Sequence, residues 1–301
     1  LGAESAIEGE GLKGQRDRDD RYSWVDPGGA LRAGPVLGWM AVGYDLCYDG
    51  WDEATRIRLG KAVEYYSTDM ISKWGDGLRV DLASLTSGTM PPTSNHYSMQ
   101  TGGAALALLT IHKEPWVNQG RIDSLLEVSQ RSMVHNANQG FGNGGYYAEG
   151  DGTGSMATYI SYLTTLQGWK NTLGMDFGAA QGPNVRMMAL KWLYLTYMED
   201  GKPAIWPVRG GYTHNAWSRK GLSGAGYFGL AFGILPDKYA AALQWFYEQF
   251  LEAADREAGI LYEPTVYPHI VATTFVNWPD TLDGRNPAEV LPHCYQDRRY
   301  G

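Results

Sequence analysis

The sequence has little cysteine, no long apolar run and no excess of positive charge. Cys47 and Cys294 are the 2 cysteines in 301 residues, and Cys47 lies in an apolar helical pattern, so a stabilising disulfide is not expected. No apolar run approaches the roughly 18 residues of a membrane-spanning helix. Lys and Arg total 25 against 33 Asp and Glu, a net charge of -8. This balance argues against nucleic-acid binding through a basic surface.

The composition that is present favours a globular chain with a carbohydrate ligand. Apolar residues make up 44% of the sequence and charged residues 19%, which excludes a disordered chain. The 39 glycines occur together with 11 tryptophans and 20 tyrosines. This mixture is typical of loop-rich clefts whose aromatic walls stack against sugar rings. Carbohydrate is therefore the first ligand class to consider.

Apolar residues recur at helical spacing along most of the chain. They repeat every four positions between 35 and 48, which predicts a first helix, and Asp52 can serve as the N-cap of a second. Pro183 is suited to the first position of a later helix. Together the predicted helices after the first hairpin cover residues 102–109, 122–133, 155–172, 183–198, 224–232 and 237–254. No convincing run of alternating strand residues appears before residue 260.

These patterns predict an all-α fold. Successive helical hairpins with buried inner helices most simply close into an incomplete α/α toroid. We divide the chain into a polar loop segment over 1–34, the toroid domain over 35–258 and an irregular, proline-broken connector over 259–301. We expect the chain to be a piece of a longer secreted protein.

A first polar segment, residues 93–100, precedes the predicted inner helix at Gly102. It contains Asn95, His96 and Tyr97, and no acidic residue occurs from 82 to 113. Polar side chains and free backbone N–H groups at a helix N-terminus can stabilise a developing negative charge. In the alternative interpretation, Asn95 is a simple helix cap and His96 is an ordinary loop residue.

A second segment, residues 140–154, is rich in glycine and carries Tyr146, Tyr147, Glu149 and Asp151. Its spacing fits neither a phosphate-binding P-loop nor a dinucleotide fingerprint, so the glycines indicate tight backbone turns. The tyrosines could equally be wall or core residues. Glu149 could bind sugar hydroxyls, orient a histidine or cap the helix expected near residue 155.

A third segment, residues 209–220, lies in an acid-free stretch from 201 to 236. Cations, a histidine and aromatic rings occur together in it, and this combination favours a binding subsite for an acidic sugar over the alternative of an ordinary surface loop. The residues that we assign to this subsite are Arg209, His214, Asn215, Trp217 and Arg219.

Three short motifs carry a resemblance to a known family. They are GYDLCYD over 43–49, SNH over 94–96 and GYYAEG over 145–150. In order and spacing they resemble the helical domain of the heparinase II/III-like polysaccharide lyases, which include alginate lyases, and the likeness covers most of residues 35–290. The resemblance implies an α/α toroid followed by a β-sandwich domain, and β-elimination of a uronic-acid glycan without a nucleotide cofactor.

The resemblance also assigns the catalytic asparagine–histidine pair to Asn95 and His96. An amide donor can neutralise the uronate carboxylate as charge develops, and a histidine, which titrates near neutral pH, can remove the C5 proton. Tyr147 is our candidate for the phenol that protonates the leaving oxygen. In the family this tyrosine commonly follows the Glu-Gly pair, where this chain has residues 151–154, so Tyr146, Tyr159 and Tyr162 remain alternatives.

The predicted partner is an acidic polysaccharide or oligosaccharide, with Tyr97, Tyr146 and Glu149 as further contact residues. We predict no cofactor, no catalytic metal, no nucleic acid and no membrane span, and a periplasmic or secreted location. Relatives also draw a catalytic histidine from the β-sandwich domain, so activity is expected of the longer protein. The alternatives are a glycoside hydrolase that uses Glu149 and Asp151, and a glycan-binding module without turnover.

Overall fold

A computed structural model describes residues 33–69, 79–149, 155–177, 183–199, 202–205, 229, 231–251 and 276–298 of the chain. The fold is mostly helical, which confirms the all-α class. The chain divides into two compact units, of which the first ends at Asn136 and the second begins at Ala137. The predicted loop segment 1–34 lies almost wholly outside the described residues.

The first unit is built mainly from helices. In chain order its elements are α1 (Ala33–Leu46), α2 (Glu53–Glu64), β1 (Ser67–Asp69), β2 (Arg79–Asp81), α3 (Leu82–Ser87), α4 (Asn95–Ile111) and α5 (Gln119–Gly140), whose last residues belong to the second unit. The short strands β1 and β2 pair antiparallel, with Ser67 opposite Asp81.

Side-chain caps fix the starts of two of these helices. Asp52 accepts a hydrogen bond from the backbone N–H of Thr55 at 2.7 Å, which confirms it as the N-cap of α2. Asp81 and Ser84 form a reciprocal capping box at the start of α3, where each side chain accepts from the other residue's backbone N–H at 2.8 Å.

Helices α1 and α4 approach so closely that only glycine fits between them. A Cβ atom on Gly103 would lie 1.7 Å from the carbonyl oxygen of Gly34, and one on Gly34 would lie 2.1 Å from the carbonyl oxygen of Met99. Helix α4 is buried on nearly all sides, as the prediction of an inner helix required. The glycines therefore bring the two backbones into direct contact at the centre of the first unit.

The predicted start of the inner helix is wrong. Helix α4 begins at Asn95 rather than at Gly102, so the polar residues read as a loop form its first two turns. The reason is that Ser94 caps the helix and that the polar side chains which follow are buried against protein groups instead of solvent. Ser98, Gln100 and Thr101 are each fully buried.

The second unit is also mainly helical. After the end of α5 its elements are α6 (Ser155–Leu173), α7 (Pro183–Leu195), β3 (Thr196–Glu199), β4 (Lys202–Ile205), α8 (Asp237–Phe246), a π-helical turn (Tyr247–Leu251) and α9 (Pro287–Val290). The predicted starts at Ser155, Pro183 and Asp237 are confirmed. Most of the helix predicted over 224–232 lies outside the described residues.

A short β-hairpin corrects the prediction for residues 196–205. Helix α7 ends at Leu195 instead of near Met198, and β3 pairs antiparallel with β4 with Glu199 opposite Lys202. Asp200 and Gly201 lie between these partners in the sequence, and Asp-Gly is a favoured dipeptide for two-residue hairpin loops. The prediction rested on the helical periodicity of the preceding residues and did not use this dipeptide.

The described part of the predicted connector, residues 276–298, packs onto the second unit. The backbone N–H of Arg285 donates to the carbonyl oxygen of Ala241 in α8 at 3.0 Å. The ring of Trp278 lies 5.3 Å from that of Phe232 and 5.0 Å from that of Tyr247. Apart from α9 this segment is irregular, as expected. That it leads to a further domain stays a prediction.

Both cysteines are free thiols on the surface, Cys47 in the first unit and Cys294 in the second. Among the described residues, no helix combines the length and apolar character needed to cross a lipid bilayer.

Candidate functional site

The first turn of α4 holds the predicted catalytic pair. The hydroxyl of Ser94 accepts a hydrogen bond from the backbone N–H of His96 at 3.3 Å and so caps the helix. Asn95 is only 6% exposed, whereas His96 is partly exposed. Within the described ranges, Nδ1 of His96 is buried and has no hydrogen-bond partner. Nδ1 is thus a buried nitrogen, in a partly exposed residue, that no protein group among the described residues uses.

A buried amide holds the chain that enters α4. Asn136 on α5 is fully buried, and its Oδ1 accepts from the hydroxyl of Ser98 at 2.9 Å. Its Nδ2 donates to the carbonyl oxygen of Pro92 at 2.8 Å. One side chain thus connects the segment before the helix to the helix itself, with Asn95 and His96 between the two contacts.

Gln100 on α4 fixes the loop that precedes this helix. Its Oε1 accepts from both the backbone N–H and the hydroxyl of Thr89, at 2.8 and 3.0 Å. Gln100 belongs to the predicted polar segment 93–100 without a role of its own, and Asn136 was not predicted. Asn136 is 44 residues from Pro92, and no local pattern distinguishes it from other polar residues of an outer helix.

Tyr97, a predicted sugar contact, is packed in the interior of the first unit. Its ring is 5% exposed, and its hydroxyl donates to the carbonyl oxygen of Ser132 at 3.4 Å. Burial raises the pKa of Tyr97. A sugar could reach this ring only if the surrounding residues moved, so the predicted contact stays a prediction.

The described part of the glycine-rich segment is a tight turn closed by backbone hydrogen bonds. The N–H of Gly142 donates to the carbonyl oxygen of Tyr146 at 2.9 Å, and Phe141 pairs with Tyr147 in an antiparallel bridge. Gly145 has φ of 77°, and a Cβ there would lie 2.4 Å from the carbonyl oxygen of Met187 in α7. The glycines therefore allow a sharp turn that packs directly against a helix backbone.

Asp297 holds this turn from the distant C-terminal segment. Its carboxylate accepts from the N–H groups of Gly144 at 2.8 Å and Tyr146 at 3.4 Å, and the residue is 3% exposed. A Cβ on Gly142 would lie 2.2 Å from this carboxylate, so a larger residue would not fit at this second glycine of the turn. Tyr295 donates its hydroxyl to the carbonyl oxygen of Asn143 at 2.6 Å and strengthens the attachment.

The three candidate residues on this turn differ in accessibility. Tyr147 is 1% exposed and packs with its ring 5.0 Å from that of Phe141, whereas Tyr146 is half-buried and Glu149 is exposed. Nζ of Lys191 on α7 lies 5.1 Å from the centre of the Tyr146 ring, and Lys191 is itself 1% exposed. A buried ammonium against a tyrosine ring is a cation–π contact in a low-dielectric setting. Tyr146 is thus the more accessible phenol.

The remaining predicted residues cannot be placed. The third segment lies outside the described residues, and with it the five residues Arg209, His214, Asn215, Trp217 and Arg219. Asp151 is outside them as well. Tyr159 and Tyr162 lie on α6, but their side chains are not described.

The structure groups the described candidates in two sets. Asn95, His96 and Tyr97 belong to the first unit, and Tyr146, Tyr147 and Glu149 belong to the second. Within the described residues no cluster of three or more His, Cys, Asp or Glu side chains could hold a metal ion. No family model, no curated protein and no solved structure matches the chain.

Proposed function

We propose that the chain is the helical domain of a polysaccharide lyase that cleaves a uronic-acid-containing glycan by β-elimination. In this proposal the helical hairpins form an incomplete α/α toroid, which a β-sandwich domain follows in a longer periplasmic or secreted protein. One observation carries the proposal. Asn95 and His96 are adjacent in the first turn of a buried helix, and Nδ1 of His96 has no partner among the described residues.

The environment of this pair suits the abstraction of a proton next to a carboxylate. No acidic residue occurs between 82 and 113, so no carboxylate of this stretch competes with an acidic substrate. The N-terminus of a helix also carries partial positive charge, which favours a developing anion. Both features stabilise the charge that accumulates when a uronate loses its C5 proton.

The proposed reaction assigns one task to each residue. Asn95 donates its amide to the substrate carboxylate, and His96 accepts the C5 proton. The electrons of the broken C–H bond form the C4–C5 double bond, and the bond between C4 and O4 breaks. The leaving O4 takes a proton from a general acid.

The test is the formation of an unsaturated sugar. The complete protein is incubated with alginate, heparin, chondroitin and bacterial exopolysaccharides, and ultraviolet absorption of the new double bond is followed. Asn95→Ala and His96→Gln are expected to lower kcat by about 100-fold or more. His112→Gln, which changes a histidine at the other end of the same helix, is the matched control and should retain wild-type rates.

Two results would contradict the proposal. If no uronate polymer yields an unsaturated product, the lyase proposal is wrong. Saturated reducing ends in the same reactions would instead favour the glycoside hydrolase alternative. Circular dichroism and thermal unfolding of each variant establish that a lost rate does not reflect a lost fold.

A further inference from the structure

An exposed tyrosine with two neighbouring cations marks a second region of the first unit. Tyr65 follows directly after α2, and 60% of it is exposed. Nζ of Lys61 lies 5.3 Å from the centre of its ring, and the guanidinium carbon of Arg121 lies 5.9 Å from it. Lys61 is also 5.9 Å from the ring of Trp116. We call these four residues the Tyr65 patch.

The acidic group nearest to Lys61 faces the interior. Glu64 is fully buried, and its Oε2 accepts from Nζ of Lys61 at 2.7 Å. Its Oε1 accepts from the backbone N–H of Asn118 at 2.8 Å. Both oxygens are therefore used by protein donors, which fixes the position of Lys61, whose side chain remains 37% exposed. The patch presents the cation, and the carboxylate lies beneath it.

The other carboxylates of this region are also engaged. Glu114 is 9% exposed and accepts from the hydroxyls of Tyr44 at 3.0 Å and Tyr48 at 3.4 Å. Asp81, which interacts with the charge of Arg121, accepts from Ser84 in the capping box.

On the exposed side, Asp123 lies 3.4 Å from Nε2 of His112. Lys61 is ion-paired with the buried Glu64, and Arg121 interacts with the charge of Asp81. Both cations also face the exposed ring of Tyr65, where a ligand can accept from them.

Packing holds one aromatic residue of the patch in place. The indole of Trp116 packs against the backbone of α2 at Gly60, where a Cβ would be 1.6 Å from Cη2. Nζ of Lys61 lies 5.9 Å from this indole and 5.3 Å from the ring of Tyr65. Trp116 and Lys61 are thus held by protein contacts, so binding does not require these two side chains to be ordered.

From this arrangement we infer that the Tyr65 patch binds an acidic sugar residue of a glycan chain. The apolar C–H face of a pyranose packs on the exposed part of the Tyr65 ring, and Lys61 and Arg121 pair with its carboxylate or sulfate. A single projecting ring offers no groove for a peptide, and two cations on an acidic protein give little attraction for nucleic acid. The choice of a uronate rests on the proposed function, but binding at the patch does not require turnover.

The test measures equilibrium binding by calorimetry. The probes are alginate, chondroitin and heparin oligosaccharides of equal length, with a neutral cello-oligosaccharide and poly-glutamate as comparisons. Tyr65→Ala and Arg121→Gln are expected to weaken binding of at least one acidic oligosaccharide about tenfold, whereas Tyr65→Phe should retain most of it. Binding should also weaken with added salt.

Two variants control for general effects. Leu46→Ala removes an apolar side chain of similar exposure, at 70%, that carries no aromatic ring. Arg58→Gln removes an exposed positive charge from the same helix, α2. Both should bind as the wild type does, and thermal unfolding checks that every variant folds. Because Arg121→Gln keeps the aromatic ring, it preserves the test if Tyr65→Ala does not fold.

The inference is overturned if the wild type binds none of the acidic oligosaccharides, or if the Tyr65 and Arg121 variants bind them with wild-type affinity. It is also overturned if the neutral oligosaccharide or poly-glutamate binds more tightly than any uronate. If the patch variants lose binding but no polymer yields an unsaturated product, the lyase proposal fails and the patch stands. If product forms and the variants keep their affinity, the patch alone fails.

Discussion

The carboxylate of Asp297 accepts a hydrogen bond from the backbone N–H of Gly144 at 2.8 Å, although 153 residues separate the two. The same oxygen also lies 3.4 Å from the N–H of Tyr146. This carboxylate adds to the backbone hydrogen bonds of the glycine-rich turn and to the packing of Phe141 against Tyr147. The position of Tyr146 therefore depends on a residue near the end of the sequence.

Asp297→Ala is expected to lower the free energy of unfolding by about 2 kcal/mol, since it leaves buried N–H groups without their acceptor. Urea unfolding measures the change. Asp283→Ala, at an exposed aspartate in the same segment, is the control and should change stability by less than about 0.5 kcal/mol. Equal stabilities of the two variants would show that the carboxylate does not hold the turn.

Gly103→Ala is expected to destabilise the protein by about 3 kcal/mol, because the new methyl would collide with the backbone of Gly34. Gly43→Ala on α1 is the matched substitution. A Cβ there meets no atom within 4 Å, so the better helix propensity of alanine should raise stability by up to about 1 kcal/mol. Thermal unfolding of both variants measures whether the two stability changes have opposite signs. Stability changes of the same sign would contradict the close helix contact.

Asn136→Ala removes the amide that joins Pro92 to Ser98, and we expect a loss of about 2 kcal/mol in urea unfolding. Asn136→Asp keeps the acceptor for Ser98 but loses the donor to Pro92. If the amide positions Asn95 and His96, both variants should lower kcat in the lyase assay more than they change KM. Gln130→Ala, at an exposed position of α5, should leave stability and rate unchanged.

The cap of α3 predicts a dependence of stability on acid. Burial raises the pKa of Asp81, but the hydrogen bonds from Ser84 and the charge of Arg121 together lower it below its ordinary value of 3.8. Since the folded pKa is below the unfolded one, the charged carboxylate stabilises the fold above about pH 4, and this contribution is lost as the pH falls through the folded pKa.

Asp81→Asn keeps the cap but removes the charge, so its deficit in unfolding free energy should be present at neutral pH and shrink below about pH 4. Because the group is only partly buried, the deficit is expected to stay below about 1 kcal/mol. Ser84→Ala should reduce the same acid dependence. A deficit that is independent of pH would rule out the lowered pKa as its cause.

Local signals explain which parts of the fold could be predicted from the sequence. Asp52 caps α2, Pro183 begins α7 and Asp237 begins α8, as expected. In each case a residue with a known preference for a helix start precedes or begins a periodic apolar pattern. Such signals act within one turn of helix and do not depend on the rest of the chain.

Long-range contacts explain what could not be predicted. The first turns of α4 look like a loop because Ser98 and Gln100 are polar, and only their burial against distant partners makes them helical and internal. The role of Asp297 depends on a turn 153 residues away. Neither partner follows from spacing or composition.

Cys47 and Cys294 are the chain's own attachment points for reporter groups. Both thiols are exposed and unbridged, and one belongs to each compact unit. A pair of spin labels or fluorophores coupled to them would report the separation of the units in solution, without any engineered cysteine. The same pair would show whether an acidic oligosaccharide changes that separation.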